Sequence, residues 1–508
     1  MSLLLRARLI AAGALVVAVW LAWELATGSY TWPALVAAGA ATAAVVYLLE
    51  VSLDRLVIGV LLFGYLVGNR GFAQIMPSPQ LPLLPAEIGL VVAGGWMLVH
   101  SALQRMLPLR RDLLNAVIVA WLVIGTVRVA FDVRPHGFVA LRDYAMVYYA
   151  GFFFIAQHAA VGDARGFLRG VLLAAAVAQP VAAVLVEAFP DFFLSTLVLR
   201  GVPLIYFKGD LALTFTAASA FLLFLLPRGA HRFWAWPVAT AELLYVVGGD
   251  NRASMLGALT GLAWLMFSRA RRLVAVQAAV LAAALFVLSA AALLTEQRWA
   301  RQKFEGLMER VGSLVDFTGQ RVYSHDESGA KGDNNRFRTV WWRTVAADTL
   351  EQNPLFGLGF GHDLAASFLR EYNPDMAEDF TARSPHSIVV SAFGRMGAVG
   401  LACLLVLFVV LAVRTWRVFR DPGAEEARLG LWAAAWVILV SACFGVVLEG
   451  PMGAVVFWSL LGLACARSAA PPVPGTTRDS REIASFTGAA LQPAGTGDEV
   501  TLSPSRPT

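Results

Sequence analysis

Long apolar runs alternate with short polar links along almost the whole chain. Most runs are close to the roughly 20 residues that an α-helix needs to cross a hydrocarbon core. Short segments of alternating apolar and polar residues, which a transmembrane β-barrel would require, are not the pattern here. The runs predict about fourteen spans, at 9–26, 33–50, 55–69, 83–101, 113–131, 140–158, 167–187, 210–226, 235–249, 253–268, 273–294, 387–413, 429–447 and 450–466. We expect an all-α polytopic membrane protein with about 12–14 transmembrane helices.

Composition supports the same class. Only 15% of the residues are charged and 58% are hydrophobic, whereas a soluble protein carries about 25% charged residues. The net charge of +5 could indicate a nucleic-acid partner. We reject that interpretation because the basic residues form short clusters between apolar runs, as the positive-inside rule predicts for a membrane protein.

The basic links also predict the orientation. Five of them fall on one side of the membrane when the spans are counted in order: Arg6 and Arg8; Arg105, Arg110 and Arg111; Arg228 and Arg232; Arg269, Arg271 and Arg272; and Arg414, Arg417 and Arg420. That side is the cytoplasm, with both termini there. The first apolar run lacks a convincing cleavage site and is interpreted as a retained span. The opposite side receives the long polar segment 295–386, which we expect to be one large, partly helical external (periplasmic) loop.

Several cations lie at or beyond the external ends of these spans. Arg142 and Arg252 each lie at a predicted helix end. Arg336, Arg338 and Arg343 open an amphipathic, helix-like stretch with two tryptophans, which fits a helix at the level of the lipid headgroups. Arg338 and Arg343 point in different directions on a helix, so only one of them is expected to face a cavity, and a solvated or headgroup-facing side chain is the favoured alternative for each arginine taken singly. Cations that converge from separate helices indicate an anionic ligand, of which phosphate is the obvious candidate. For Arg252, a snorkelling anchor or a pair with Asp250 is the alternative.

His386 lies where the polar loop meets a span. Pro385 restricts the residue before it and is well placed to begin a helix. We expect His386 on the first helical turn, where the helix N-terminus would keep the imidazole neutral and basic. A boundary histidine that bonds the headgroup layer is the alternative.

The rest of the polar loop is interpreted as scaffold. NPLFGLGFG lacks the end of a P-loop and is expected to dock the loop on the helix bundle, with a structural His362 beside it. No carboxylate cluster has metal-ligand spacing. Cys403, Cys443 and Cys465 all lie in apolar spans and are interpreted as packing residues.

Three motifs resemble those of the O-antigen ligase and O-antigen (Wzy-type) polymerase superfamily of bacterial membrane glycosyltransferases. Arg252 and Leu256 fit an Arg-x3-Leu motif. His386, Gly397 and Gly400 fit the spacing of the superfamily's His motif. Arg338 and Trp342, followed by the PLFGLG turn at 354–359, fit the third. Two departures concern the subfamily: Ser387 stands where many members have Asn, and about fourteen spans exceed the usual twelve. The likeness is best over 205–465, and residues 1–200 match in hydropathy only.

The resemblance implies that a glycan moves from undecaprenyl diphosphate to an acceptor hydroxyl at the periplasmic face of the bacterial inner membrane. The acceptor would be lipid A-core or another lipid-linked glycan. His386 would be the catalytic base, and Arg252, Arg338, Arg336 and Arg142 would bind the diphosphate, with inversion at the anomeric carbon and no metal or other cofactor. The division that follows is 1–204, an N-terminal transmembrane bundle; 205–466, the ligase- or polymerase-like region with loop 295–386; and 467–508, a disordered cytoplasmic tail.

Two other functions are open to a chain with many spans and buried cations. A transporter or flippase of lipid-linked glycans would more often show internal repeats and broken midplane helices, and the sequence shows neither. It also has little use for a long external loop that ends in a base. A peptidoglycan polymerase of the cell-shape type is related in architecture, and the His motif argues against it.

Overall fold

The computed structural model describes residues 40, 46–48, 50–76 and 83–466, with gaps at 106, 108, 162–164, 200, 228, 230, 295–297, 317–329 and 373–381. In chain order the helices are α1 Leu53–Phe63, the π-helix π1 Gly64–Gly68, α2 Arg70–Ala73, α3 Pro85–Leu103, α4 Leu113–His136, α5 Phe138–Asp143, α6 Ala145–Tyr148, α7 Gly151–Ala159, α8 Arg165–Ala188, π2 Phe192–Thr196, α9 Gly209–Leu225, α10 His231–Gly248, α11 Arg252–Met266, α12 Arg271–Leu294, α13 Arg298–Val315, α14 Ala330–Gln352, α15 Ala366–Tyr372, α16 Ile388–Arg420, α17 Glu426–Cys443 and α18 Pro451–Cys465. A small antiparallel hairpin pairs β1 Val198–Leu199 with β2 Val202–Pro203.

The predicted class, an all-α polytopic membrane protein, is confirmed. Among the described residues, α3, α4, α8, α12, α16 and α17 are long and apolar enough to cross a membrane, and the bent run from α5 to α7 counts as a seventh if it forms one span. Span 9–26, most of span 33–50 and the tail 467–508 lie outside the described residues. The number of 12–14 spans therefore stays a prediction.

The core is a set of closely packed helices in which glycines bring backbones together. Gly257 on α11 faces α17, where a Cβ would lie 2.7 Å from the carbonyl oxygen of Val437. Gly462 on α18 faces α7, where a Cβ would lie 2.4 Å from the carbonyl oxygen of Phe153. Small residues allow such approaches between membrane helices. The second contact joins segments on both sides of residue 204, and the domain division there stays a prediction.

Helix α16 is kinked, and a glycine-rich loop fills the kink. Gly397 has φ 63° and ψ −157°, which breaks the helix. The loop 354–361 supplies partners for the backbone groups at the break. Leu358 donates its N–H to the oxygen of Gly394 at 2.7 Å, and Ala398 donates to the oxygen of Pro354 at 2.8 Å. The loop therefore docks on the bundle, as the sequence predicts, and it replaces hydrogen bonds that the helix loses.

The two glycines at this contact depend on each other. Gly357 in the loop has φ 73°, and a Cβ there would lie 2.5 Å from the nitrogen of Gly397. A Cβ on Gly397 would in turn lie 2.4 Å from the carbonyl carbon of Leu355. Gly397 belongs to the His motif and Gly357 to the PLFGLG motif, so two separate sequence motifs form one structural contact.

The polar segment 295–386 contains a small hydrophobic core of its own among its described residues. Helices α14 and α15 bury the cluster Trp341, Val345, Leu364, Ala365, Phe368 and Leu369. Trp341 is fully buried and donates its indole N–H to the oxygen of Leu364 at 2.7 Å. The expectation that Trp341 lies among lipid headgroups is therefore wrong, because α15 packs over the face of α14 that carries it.

Substitution of Gly357 by Ala should weaken the docking of the loop. An Ala side chain meets both an unfavourable positive φ and the backbone of Gly397, so we expect a loss of about 1–3 kcal/mol of stability. Thermal unfolding of the purified protein in detergent would measure it. Gly95→Ala is the matched control, because a Cβ there meets nothing within 4 Å. Equal stability of the two variants would contradict this account.

Candidate active site

His386 occupies a constrained position just outside α16. Its φ is 56°, a left-handed conformation that is uncommon for a residue with a side chain. The helix begins at Ile388 and Ser387 is its extended N-cap, with φ −157°. His386 is therefore not on the first helical turn, and that expectation is wrong. Strained backbone of this kind occurs at functional sites and persists where the surroundings hold it.

Two tryptophans of α14 hold this segment. Trp342 donates its indole N–H to the oxygen of Pro385 at 2.6 Å. The Trp341 ring centroid lies 5.7 Å from that of His386. One tryptophan thus fixes the backbone immediately before His386, and the other packs beside the imidazole.

The imidazole of His386 is neutral at pH 7. Burial lowers its pKa to about 4, the cations Arg338 and Lys208 act in the same direction, and Asp210 opposes them. The neutral state agrees with the sequence-based expectation, but its cause differs. Burial and nearby cations, rather than a helix N-terminus, disfavour the imidazolium.

Arg338 and Arg252 lie close together. Arg338 is half-buried and donates from Nη1 to the oxygen of Phe444 at 2.9 Å. Burial lowers the pKa of Arg338, the charge of Arg252 adds to this effect, and Asp210 opposes it. Two guanidinium groups that repel each other in a partly buried site favour an anion between or beside them.

The start of α11 explains how Arg252 is placed. The N-cap Asn251 accepts a hydrogen bond from the N–H of Ser254 at 3.1 Å and donates from Nδ2 to the oxygen of Asp210 at 2.7 Å. Asn251 thereby begins α11 and ties it to the start of α9. Arg252, the first residue of α11, follows directly, as the sequence predicts.

The structure brings His386, Arg338 and Arg252 into one cluster, but it does not bring Arg336 and Arg142 into it. Both of these side chains are exposed. The charges that shift the pKa of His386 come from Arg338, Lys208 and Asp210 instead. A role for Arg336 or Arg142 on the donor stays a prediction.

Sequence reasoning missed three charged groups at this site. The Lys208 ammonium lies 3.6 Å from the Asp210 carboxylate. Glu449 accepts a hydrogen bond from the hydroxyl of Ser391 at 2.7 Å. Burial raises the pKa of Glu449, although the hydroxyls of Ser384 and Ser391 and the charges of Arg395 and Lys208 oppose it. The available signal was position, because Asp210 and Glu449 lie at or next to the ends of apolar helices, where a carboxylate is costly.

A second missed group clamps the glycine-rich loop. Arg395, buried in α16, pairs with Asp143 at 2.9 Å and donates from Nη1 to the oxygen of His362 at 2.7 Å. Asp143 also accepts the N–H of Gly361 at 3.0 Å. Arg383, three residues before His386, donates to the oxygen of Gly361 at 2.6 Å. The loop is therefore fixed to α5 and α16 and to the segment that carries His386.

Among the described residues, no group of three or more His, Cys, Asp or Glu side chains could hold a metal ion. The expectation that no metal or other cofactor takes part stays a prediction. Cys403, Cys443 and Cys465 are free thiols.

The part of the chain that contains this cluster is similar to a known protein family. Residues 237–405 match the family model described as O-antigen ligase. The matched range contains Arg252, Arg338 and His386. The match confirms the resemblance to the O-antigen ligase and polymerase superfamily. It supports a glycosyltransferase activity of the ligase or polymerase type, with a lipid-linked glycan donor and a glycan acceptor in general. No curated protein matches the chain significantly.

Removal of the Arg338 charge should raise the pKa of His386 from about 4 toward its ordinary value of 6.5. Between these values the unfolded chain binds a proton that the folded protein excludes, so acidification through this window costs native stability. In Arg338→Gln the lower limit of this pH range, which is the pKa of His386 in the folded protein, should rise, so the range becomes narrower. NMR of isotope-labelled histidine would measure the pKa, with the signal assigned by its loss in His386→Gln.

Arg343→Gln is the matched control for this titration, because Arg343 lies on the same helix and is exposed. It should leave the His386 titration unchanged. An unchanged pKa in Arg338→Gln, or an equal change in both variants, would show that Arg338 does not act on His386.

Proposed function

We propose that the chain is a glycosyltransferase that moves a glycan from undecaprenyl diphosphate to an acceptor hydroxyl at the periplasmic face of the bacterial inner membrane. The acceptor is lipid A-core if the enzyme is a ligase and a lipid-linked glycan if it is a polymerase. One observation supports the proposal most directly: the cations Arg252 and Arg338 and a neutral, half-buried histidine, His386, converge from three separate segments. The O-antigen ligase match supports the coarser reaction class.

The reaction needs both kinds of group. The acceptor oxygen forms a bond to the anomeric carbon, while the bond from that carbon to the phosphate oxygen breaks. The electron pair of the broken bond stays on the diphosphate, where Arg252 and Arg338 stabilise the growing negative charge. The acceptor hydroxyl gives its proton to the imidazole of His386, which acts as the general base. Attack opposite the leaving group inverts the anomeric configuration.

The low pKa of His386 suits a base that is active only when the donor is bound. At a pKa of about 4 the imidazole is neutral but weakly basic. The donor diphosphate brings negative charge beside Arg338 and Lys208 and offsets their effect on His386. The pKa of the bound enzyme should then rise toward the working pH, where a general base is most effective.

The neighbouring groups position the base. Trp342 holds the carbonyl before His386, and Glu449 binds the hydroxyl of Ser391, five residues after it. The Ser391 and Ser384 hydroxyl oxygens lie 3.3 Å apart, so the contact extends to the residue two before His386. Such supports matter because a misplacement of about 1 Å can cost a large factor in rate.

Replacement of His386 by Ala should abolish glycan assembly in a deletion strain complemented with the variant gene. Loss of a general base lowers the rate of a reaction by a factor of about 10²–10⁴.

Glycan analysis of the deletion strain also distinguishes a lipid A-core acceptor from a lipid-linked glycan acceptor. Full-length chains that accumulate on undecaprenyl diphosphate indicate a ligase, and lipid A-core that carries a single repeat indicates a polymerase.

His362→Ala is the matched control, because the backbone oxygen of His362, rather than its ring, accepts the bond from Arg395. It should restore long chains. Immunoblotting of membranes must show equal amounts of both variants. Full surface-glycan assembly by His386→Ala would overturn the role of the base.

Conversion of both Arg252 and Arg338 to Lys should weaken donor binding. Lys keeps the charge but lacks the planar fork that binds phosphate through two hydrogen bonds. We expect about a tenfold loss in affinity for undecaprenyl diphosphate, or about 1.4 kcal/mol. Binding to the purified variant would be compared with that of Arg343→Lys, which changes an exposed cation of the same helix. Unchanged binding by the double variant would exclude the diphosphate clamp.

A further inference from the structure

An apolar groove lies on the side of the bundle between α1 and α8. It has a volume of about 780 Å³, and its walls come mainly from α1 with π1, from α8 and from Leu204 and Ile205, which follow β2. This volume is within the range of roughly 300–1,000 Å³ that is common for small-molecule sites. Its residues are apolar throughout, so the groove suits a hydrocarbon chain.

Two glycines keep one wall of the groove open. Gly166 and Gly170 are four residues apart on α8 and lie on the same face, and a Cβ on either would meet nothing within 4 Å. Packing therefore does not demand glycine at these positions. Glycine inside a helix costs about 0.5–1 kcal/mol relative to Ala. Because neither glycine has a side chain, the groove is deeper at these two positions than it would be with any other residue.

Backbone hydrogen bonds link one end of the groove to the segment that carries Lys208. Tyr206, which follows the groove residues Leu204 and Ile205, donates its N–H to the oxygen of the groove residue Gly68 at 3.2 Å. Two residues further on, Lys208 donates its N–H to the side-chain oxygen of Asn69 at 3.1 Å. The end of the groove is thus hydrogen-bonded to the segment whose Lys208 side chain acts on His386.

Positive charge lies at this same end. Arg70 is exposed, and its guanidinium lies 5.6 Å from the centroid of the Tyr206 ring. Lys208 pairs with Asp210 at 3.6 Å. A site with a long apolar groove and cations at one end fits an amphiphile with a phosphate head and an extended hydrocarbon tail.

We propose that the groove between α1 and α8 binds the isoprenoid tail of the polyprenyl-diphosphate donor and aims its diphosphate past Lys208 toward Arg338 and Arg252. This assignment rests on the proposed function. A tail that enters the groove leaves lipid rather than water, so the hydrophobic effect contributes little and side-chain packing contributes most. The main result is orientation, because a fixed tail limits where the head can lie relative to His386.

The test is binding of sugar-free undecaprenyl diphosphate to the full-length protein in nanodiscs of phosphatidylethanolamine and phosphatidylglycerol. Gly170→Leu fills the groove and should weaken binding about fivefold, which corresponds to about 1 kcal/mol. Gly95→Leu is the matched control, since Gly95 also lies within a predicted membrane span and has open space around its Cα. It should bind as the wild type does.

Dimethylallyl diphosphate distinguishes the contribution of the tail to binding from that of the diphosphate, because it keeps the diphosphate but has a single isoprene unit. It should bind equally to all three proteins. Equal binding of undecaprenyl diphosphate by Gly170→Leu and the wild type would overturn the proposal. So would an equal loss for the short and the long diphosphate, or an equal loss in Gly95→Leu.

A second measurement covers the case in which Gly170→Leu does not fold. A photoreactive amino acid at Val171, which lines the groove, should cross-link to undecaprenyl diphosphate. A cross-link only to phospholipid that undecaprenyl diphosphate does not displace would overturn the proposal. Neither measurement requires glycan transfer. If the protein binds the isoprenoid tail in the groove but transfers no glycan, only the proposed function is contradicted. If it transfers glycan but does not bind the tail in the groove, only the assignment of the groove is contradicted.

Discussion

Backbone hydrogen bonding inside a membrane is the constraint on which the site depends. Hydrocarbon supplies no partner for a free N–H or C=O, so every break in a membrane helix needs a partner from the protein. At Gly397 that partner is the loop 354–361, whose residues exchange hydrogen bonds with α16 on both sides of the break. Arg395 and Asp143 then fix the loop to the bundle. The first part of α16, with His386 at its entrance, takes its direction from this contact.

Burial and neighbouring cations together determine the electrostatics of the site. Burial and the charge of Arg252 lower the pKa of Arg338, and burial and the charge of Arg338 lower the pKa of His386. In water such effects are small, but a partly buried site screens them less. In the proposed function, the donor diphosphate would interact with the same cations that act on His386. Donor binding and the basicity of His386 would then be linked.

Hydropathy predicted the helices well because each span must be long and apolar, whatever its neighbours are. The position of Arg252 at a helix end was also predicted, and the structure adds that Asn251 is the N-cap that begins α11. The spacing of Arg338 and Arg343 predicts that they point in different directions on one helix. The structure shows that Arg338 is the more buried of the two. Other features depend on tertiary contacts that no local pattern encodes. The left-handed backbone of His386 and the burial of Trp341 under α15 are examples, and the approach of Glu449 to Ser391 joins residues 58 positions apart.

The mutual fit of Gly357 and Gly397 has a consequence for exchanging parts between related enzymes. The two residues lie 40 positions apart, yet neither tolerates a side chain while the other backbone stays where it is. A chimera that takes the glycine-rich loop 354–361 from one relative and the following helix from another would join two surfaces that were not shaped together. The transferable unit therefore extends from the end of α14 through the kink in α16. Junctions placed before Asn353 and after Gly400 would keep the contact intact within a single parent.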